Sequence, residues 1–353
     1  MSRTWTHAVM GALLLAALAP AWASDITIRR MGAADDVSPT LHGPAFYLKG
    51  DGPPEVYSFD AFAREIALGE PLDVVVLGAS YANYDGECAI LEALDSINSC
   101  TTVVIRDDQN TNDARVREVL QQAEIIYFRG GDQCNFVHWK YSAVHEEVEE
   151  LVERGGGTGG GSAGLAIQGS LAVYDGCTGS TSSPSALADP YTASISFTTE
   201  LFHWPHLDNV IMDSHFVKRD RMGRLMTFLC RQQALGRAEA AWGLGLTDGG
   251  VMLVDRDGIG TVWNEPAYVV LADGNHAGCG DERQPLTYQG FKVWRLAPGE
   301  QYDFMIRPHK GYYTVDVKGG TLSTDPYQYP PARPADKQTF PHARKASPAR
   351  SLR

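Results

Sequence analysis

The chain alternates short apolar runs with segments whose apolar residues recur every three or four positions. Asp73-Val74-Val75-Val76-Leu77-Gly78 is one such run, and Thr102 to Ile105 and Ile125-Ile126-Tyr127-Phe128 are two more. Cys88 to Leu94 and Val116 to Ala123 follow a helical period, and so do Val144, Val148, Leu151 and Val152 among the glutamates 146, 147, 149, 150 and 153. Buried strands alternating with amphipathic helices predict βαβ units, hence an α/β fold with a mostly parallel sheet and helices on both faces. After Leu225 the pattern changes. Gly243-Leu244-Gly245-Leu246, Val251 to Val254, Thr261-Val262-Trp263, Ala267 to Leu271, Tyr288 to Leu296 and Tyr312 to Val317 are short and bounded by turns. They predict closing strands and a small β-rich C-terminal appendage ending near Pro326.

The two ends of the chain fit neither pattern. Arg3, the apolar stretch from Ala8 to Ala19 and Ala21-Trp22-Ala23 have the layout of a cleavable signal peptide, residues 1–23, with cleavage after Ala23. That apolar stretch is too short to span a bilayer, and no other run has membrane length, so the expectation is a product in the periplasm or the medium, not in a membrane. Residues 327–353 carry Pro330, Pro331, Pro334, Pro341 and Pro348 with an excess of basic side chains and no apolar period, which predicts a disordered tail. Residues 24–271 form the expected main domain and 272–326 the β-rich extension.

Charge and cysteine content narrow the function classes. The whole chain has a formal net charge of −13, and most of its excess base sits in the tail, so the folded body is more acidic still. Such a body excludes nucleic acid as the natural partner and suits cationic substrates. Cys88, Cys100, Cys134, Cys177, Cys230 and Cys279 have no zinc-module spacing, and in an exported chain they predict disulfides, with fifteen connectivities open.

The chemistry concentrates around Ser162. Gly160-Gly161-Ser162-Ala163-Gly164 has the G-x-S-x-G spacing of a nucleophile elbow, in which small neighbours let the backbone turn sharply and lift the hydroxyl clear. The same glycines satisfy G-x-G-x-x-G. A dinucleotide site needs an apolar strand directly before them, and here the preceding periodic segment is helical; a Walker loop lacks its Gly-Lys-Ser/Thr. A base is available where Val210-Ile211-Met212 ends in Asp213-Ser214-His215-Phe216, since catalytic groups collect at strand ends in open α/β sheets. Tyr127-Phe128-Arg129-Gly130-Gly131-Asp132-Gln133 ends a strand in a Gly-Gly turn whose backbone N–H groups suit an oxyanion. Arg221 and Arg224 stand one helical turn apart, a spacing that can clamp a carboxylate.

Taken in order, the Gly-Gly-Asp-Gln turn, the Gly-Ser-Ala-Gly elbow, the Asp-x-His-Phe strand end with its Arg-x-Arg-x-x-Arg helix, and Gly243-Leu244-Gly245-Leu246-Thr247-Asp248 resemble the cyanophycinase-like serine peptidases, a group that also contains the α-aspartyl dipeptidase peptidase E. The resemblance runs from about Phe46 to Leu271. It implies a class I glutamine-amidotransferase-like fold with serine in place of the usual cysteine, no cofactor or metal, and a homodimer. Carried over position by position, Ser162 is the nucleophile and His215 the base; the backbone N–H groups near Gly131 and Ala163 are the expected oxyanion donors. Gln133, Arg219, Arg221 and Arg224 fall where the family lines its substrate pocket, and Asp213 is a further substrate-binding candidate.

For the triad acid, Asp248 matches a family glutamate one methylene longer, while Asp213, on the face of its strand that His215 shares, and Asp175 are the alternatives. The sequence departs from the family in having Ser214 where an amide precedes the histidine, and Thr158-Gly159 where apolar residues lead into the elbow. The reading implied is an exported serine peptidase acting on aspartyl peptide bonds, β-Asp-Arg of cyanophycin or related isoaspartyl and aspartyl dipeptides. A binding protein of the same fold and a broader amidase or esterase are the alternatives.

Overall fold

The computed structural model describes residues 25–80, 85–274, 279 and 283–328. The signal peptide and nearly all of the basic tail lie outside the described residues. No helix among the described residues is long and apolar enough to cross a membrane.

A nine-stranded sheet forms the centre. Its order is Ile26–Gly32, Ile97–Ile105, Leu72–Gly78, Ile125–Phe128, Gly157–Gly161, Ala45–Lys49, Val251–Val254, Ile259–Trp263 and Gln301–Asp303. The strands from Ile97–Ile105 to Ala45–Lys49 run parallel, and antiparallel strands flank this block on both sides. Because successive side chains point to opposite faces, Val74 and Val76 face the helices Val56–Ala67 and Asp85–Leu91, whereas Val75 and Leu77 face Ala114–Gln121 and Ala143–Glu153. The helical periods expected from sequence are therefore the buried stripes of helices on both faces.

A second, six-stranded sheet has the order Thr321–Leu322, Tyr313–Lys318, Tyr288–Leu296, Ala267–Ala272, Ala241–Leu246 and Val210–Asp213. Only its last two strands are parallel to each other. The strands after Ala272 thus extend the sheet that contains Val210–Asp213, and helix Met222–Ala234 covers it. Val210, Met212, Leu244 and Leu246 also join Phe46 and Leu48 in one apolar cluster, so the two sheets share a core. Tyr327, assigned to the tail by its composition, is instead packed edge-on to Phe216 and Tyr268, and its hydroxyl accepts the Met222 N–H at 2.9 Å. An aromatic ring with a polar tip found a partly buried seat that proline content does not forecast.

The segment before Ser162 is not a loop. Gly157–Gly161 is a fully buried strand paired on both sides, with Ile125–Phe128 and with Ala45–Lys49. Polar and glycine content conceals it from a reading based on apolar periodicity. The physical reason for its composition is space: a Cβ on Gly159 would lie 2.0 Å from the Tyr47 carbonyl oxygen, and one on Gly160 would lie 2.5 Å from that of Phe128. On one face Tyr47, Phe59, Phe62 and Tyr127 fill the room that side chains of this strand would otherwise take.

Gly160→Ala, which drives a methyl into backbone on both sides, should cost about 3 kcal/mol, the upper end of overpacking penalties. Gly86→Ala, on an exposed helical position with nothing near its added Cβ, should be neutral or stabilise by up to ~1 kcal/mol. Thermal denaturation of the two variants checks the pair; equal behaviour would remove the steric account of the strand.

Candidate active site

Four turns meet at the carboxyl ends of parallel strands. Gly130–Gly131 follows Ile125–Phe128, Ser162 follows Gly157–Gly161, His215 follows Val210–Asp213, and Asp248 follows Ala241–Leu246. Such ends are where open α/β sheets leave a crevice.

Ser162 has φ 56° and ψ −110°, a conformation costly for a residue with a Cβ, and it stands at the start of the short helix Ala163–Ala166. This is the strained elbow that the glycine spacing predicts. Its Oγ lies 2.8 Å from His215 Nε2, and His215 Nδ1 lies 2.9 Å from Asp248 Oδ1. Serine, imidazole and carboxylate therefore form one hydrogen-bonded line, with His215 Nδ1 donating to Asp248 and Nε2 free to accept the hydroxyl proton. The His215 and Asp248 side chains keep only 13% and 18% of their surface. Burial pulls the His215 pKa below its ordinary value and Arg219 adds to this, against the raising pull of Asp248. The ring is thus neutral, and so able to act as a base, at neutral pH.

The other two carboxylates weighed for this position are employed elsewhere. Asp175 accepts hydrogen bonds from the Ser196 and Thr198 hydroxyls and the Cys177 N–H, which tie a hairpin together. Asp213 is buried and receives Arg224 through both Nε and Nη2, with Arg221 Nη1 at 3.2 Å and the Ser214 N–H at 2.9 Å. Asp213 does share a strand end with His215, as alternation suggests, but the arginines claim it.

That arrangement divides the three arginines. Arg224 keeps 4% of its side-chain surface, and Arg221 keeps 15% and also donates to the Ser214 carbonyl. Burial lowers the Arg221 pKa to about 10. Both guanidinium groups are committed to Asp213, because a buried carboxylate needs a charged partner more than a surface ligand does. Arg219 differs. It is exposed, lies close enough to His215 to depress its pKa, and makes no ion pair among the described residues.

On the other side, Gly130 packs against the nucleophile: a Cβ added to it would lie 3.3 Å from the Ser162 Cβ. The Gly131 N–H and the Ala163 N–H, in the first turn of its helix, bond to no backbone carbonyl among the described residues and lie on the two turns flanking Ser162. Gln133 is half-buried and donates to the Tyr174 carbonyl at 3.3 Å. Next to it, Cys134 is bonded to Cys177, which fastens the helix Gln133–Val137 to the loop after Val173–Tyr174. Cys88 pairs with Cys100 and Cys230 with Cys279, leaving no thiol as a competing nucleophile among the described residues.

Sequence reasoning missed the segment Lys49-Gly50-Asp51-Gly52. Its carbonyls take the N–H of Ser162 (Lys49, 3.3 Å) and of His215 (Gly50, 2.9 Å), and the Gly50 N–H donates to the Gly250 carbonyl at 2.9 Å. The available signal was a charged Gly-Asp-Gly turn directly ending an apolar run, in a part of the chain where no motif drew the eye.

No family model matches the chain. It is similar to curated cyanophycinases. That of Trichormus variabilis is 26% identical over 214 residues, covering 58% of this chain and 64% of the relative, and that of Nostoc sp. is 25% identical over the same length and shares. The cyanophycinase of Geminocystis herdmanii is 26% identical over 209 residues, covering 56% of this chain and 69% of the relative. The matched stretch therefore spans less than two thirds of the first two relatives. Among solved structures, a peptidase from an acI-B1 actinobacterium has 14% identity and a TM-score of 0.47, covering 75% of this chain and 98% of its own. A putative peptidase E protein of Listeria monocytogenes has 14% identity and a TM-score of 0.39, covering 61% and 95%. The resemblance to cyanophycinase-like peptidases read from the motifs stands on the curated relatives as well.

If Arg224 holds Asp213 and not a ligand, Arg224→Ala should destabilise the fold by about 3–5 kcal/mol, the cost of stranding a buried charge. Arg219→Ala should leave stability unchanged. Denaturant titration of both variants decides; a stable Arg224→Ala protein would return that arginine to the list of ligand-binding groups.

Proposed function

We propose that this protein is a serine hydrolase of peptide bonds, exported by its leader, with Ser162, His215 and Asp248 as its triad. The observation that carries the reading is the unbroken line from Ser162 Oγ through His215 to Asp248, at 2.8 and 2.9 Å. Similarity to cyanophycinases supports peptide as the substrate class. The three disulfides suit an oxidising compartment.

The steps follow from the geometry. His215 Nε2 takes the Ser162 hydroxyl proton as Oγ attacks the scissile carbonyl carbon, and the resulting oxyanion is held by the N–H groups of Gly131 and Ala163. Asp248 stabilises the imidazolium. His215 then returns that proton to the leaving nitrogen, the C–N bond breaks, and an ester to Ser162 remains. A water molecule, deprotonated by the same ring, attacks the ester; the proton goes back to Ser162 Oγ and the acid is released. Because burial lowers the His215 pKa, kcat/KM should fall only as pH drops through a value below 6.5, the ring's ordinary pKa.

We assign the substrate as an aspartyl peptide, β-linked Asp-Arg or a related isoaspartyl or aspartyl dipeptide. With Arg221 and Arg224 engaged by Asp213, Arg219 is the one of the three arginines left to hold the free carboxylate of such a residue, and the net negative charge of the protein favours a cationic leaving side.

A fluorophosphonate probe should label the wild-type chain at Ser162. Ser162→Ala should abolish both labelling and turnover, and Asp248→Asn should lose roughly 10²- to 10⁴-fold in kcat through loss of tautomer control. A wild-type chain that resists the probe while still binding aspartyl dipeptides would make it a binding protein of this fold. On a panel of β-Asp-Arg, isoAsp and α-Asp dipeptides with a neutral ester as control, Arg219→Ala should raise KM for the dipeptides by about 10- to 100-fold, the cost of one charged hydrogen bond. The ester should be nearly unaffected. Proportional loss on all four would remove Arg219 from substrate recognition.

A further inference from the structure

Asp51 stands beside the triad on a segment to which no motif assigns a role. Its Oδ1 accepts the Gly249 N–H at 2.7 Å, immediately after Asp248, and the Lys49 ammonium at 2.9 Å. One ligand-capable atom from each of Asp51, His215 and Asp248 falls within 4.8 Å of the others. Lys49 keeps 7% of its side-chain surface and Asp51 keeps 28%, so the pair is fixed below the turn rather than waving over it. Burial pushes the Asp51 pKa up, but the Gly249 N–H and the Lys49 ammonium outweigh it and hold the carboxyl below its ordinary value. Asp51 is therefore ionised whenever His215 is able to work.

The charge balance around the ring shows what a second carboxylate does there. Arg219 and Arg221 both disfavour the imidazolium, and Lys218 lies 3.4 Å from Asp248 Oδ1, partly offsetting the triad acid itself. Facing these cations are Asp248 and Asp51, the latter shared with Lys49. Arg221 is partly compensated by Asp213, but with Asp51 removed Asp248 alone would face Arg219 and Lys218, and the imidazolium would be less well supported at the moment Ser162 attacks.

We propose that Asp51 is a positioning residue for this reaction: its carboxylate fixes the Thr247–Gly250 turn that carries Asp248 and supplies the second negative charge that favours the His215 imidazolium. The inference rests on the hydrolase reading of Ser162, His215 and Asp248, and it reaches the substrate only through His215.

Asp51→Asn keeps an oxygen for the Gly249 N–H and removes the charge, Asp51→Ala removes both, and Asp51→Glu restores the charge. On the mature chain, NMR titration of the His215 ring, thermal stability and the pH dependence of fluorophosphonate labelling are compared with wild type. In Asp51→Asn the ring should titrate at least about half a pH unit lower. The acidic limb of the labelling rate should move with it, and the plateau rate should fall about tenfold, with thermal stability retained. Asp51→Ala should lose about 100-fold, and Asp51→Glu should recover part of the ring's pKa. An Asp51→Asn protein whose ring and labelling rate match wild type overturns the proposal. So does one that loses thermal stability with the His215 titration unchanged, which would make Asp51 a structural residue only. If the wild-type chain resists the probe, the hydrolase reading fails by itself, and the ring titration still decides whether Asp51 governs His215.

Discussion

The strand Gly157–Gly161 can lie at the centre of the sheet only because it has almost no side chains. Its neighbours approach so closely that a Cβ at position 159 or 160 would collide with backbone carbonyls, and aromatic rings occupy one of its faces. From this bare strand the chain enters the left-handed conformation at Ser162, and the glycines on either side let it do so without displacing Phe128 or Tyr127. The position of the hydroxyl is therefore an outcome of core packing several residues upstream. Burying a strand of glycines carries an entropic penalty relative to other residues, which the surrounding rings offset through their own burial.

Electrostatics complete what packing begins. Near the site Asp51 is held by the Gly249 N–H and the Lys49 ammonium and Asp248 pairs with the His215 ring, while Asp213, at the end of the strand Val210–Asp213, is paired with Arg221 and Arg224. Buried charges separate into those satisfied internally and those aimed at the ring, and the distinction follows from partners and not from residue type. Arg219, four residues after His215, is exposed and forms no ion pair with Asp213.

Much of this was legible in the chain itself. The runs at 73–78, 125–128 and 251–254 and the helix with Val144, Val148 and Leu151 on one side declare themselves through periodicity, and G-x-S-x-G at 160–164 points to the hydroxyl that lies 2.8 Å from His215. The glycine strand was hidden, since burial there is enforced by neighbours and leaves no apolar letters. The carboxylate facing His215 could not be chosen from spacing alone: Asp213 shares the right strand face, yet a salt bridge to a residue eleven positions later claims it. The role of Lys49–Gly52 is concealed for a different reason: its Gly-Asp-Gly turn marks a strand end, but its partners at 162, 215, 249 and 250 lie far away in the chain.

The three groups in line do not come from one sheet. Ser162 leaves the nine-stranded sheet, whereas His215 and Asp248 leave the six-stranded one, and the bond between Asp51 and Gly249 joins residues 198 positions apart. Contacts of such long sequence separation form late in folding, after local helices and hairpins. A newly made chain therefore keeps Ser162 apart from His215 and Asp248 until the contacts between its two sheets close, and the hydrogen-bonded line is among the last features of the fold to assemble.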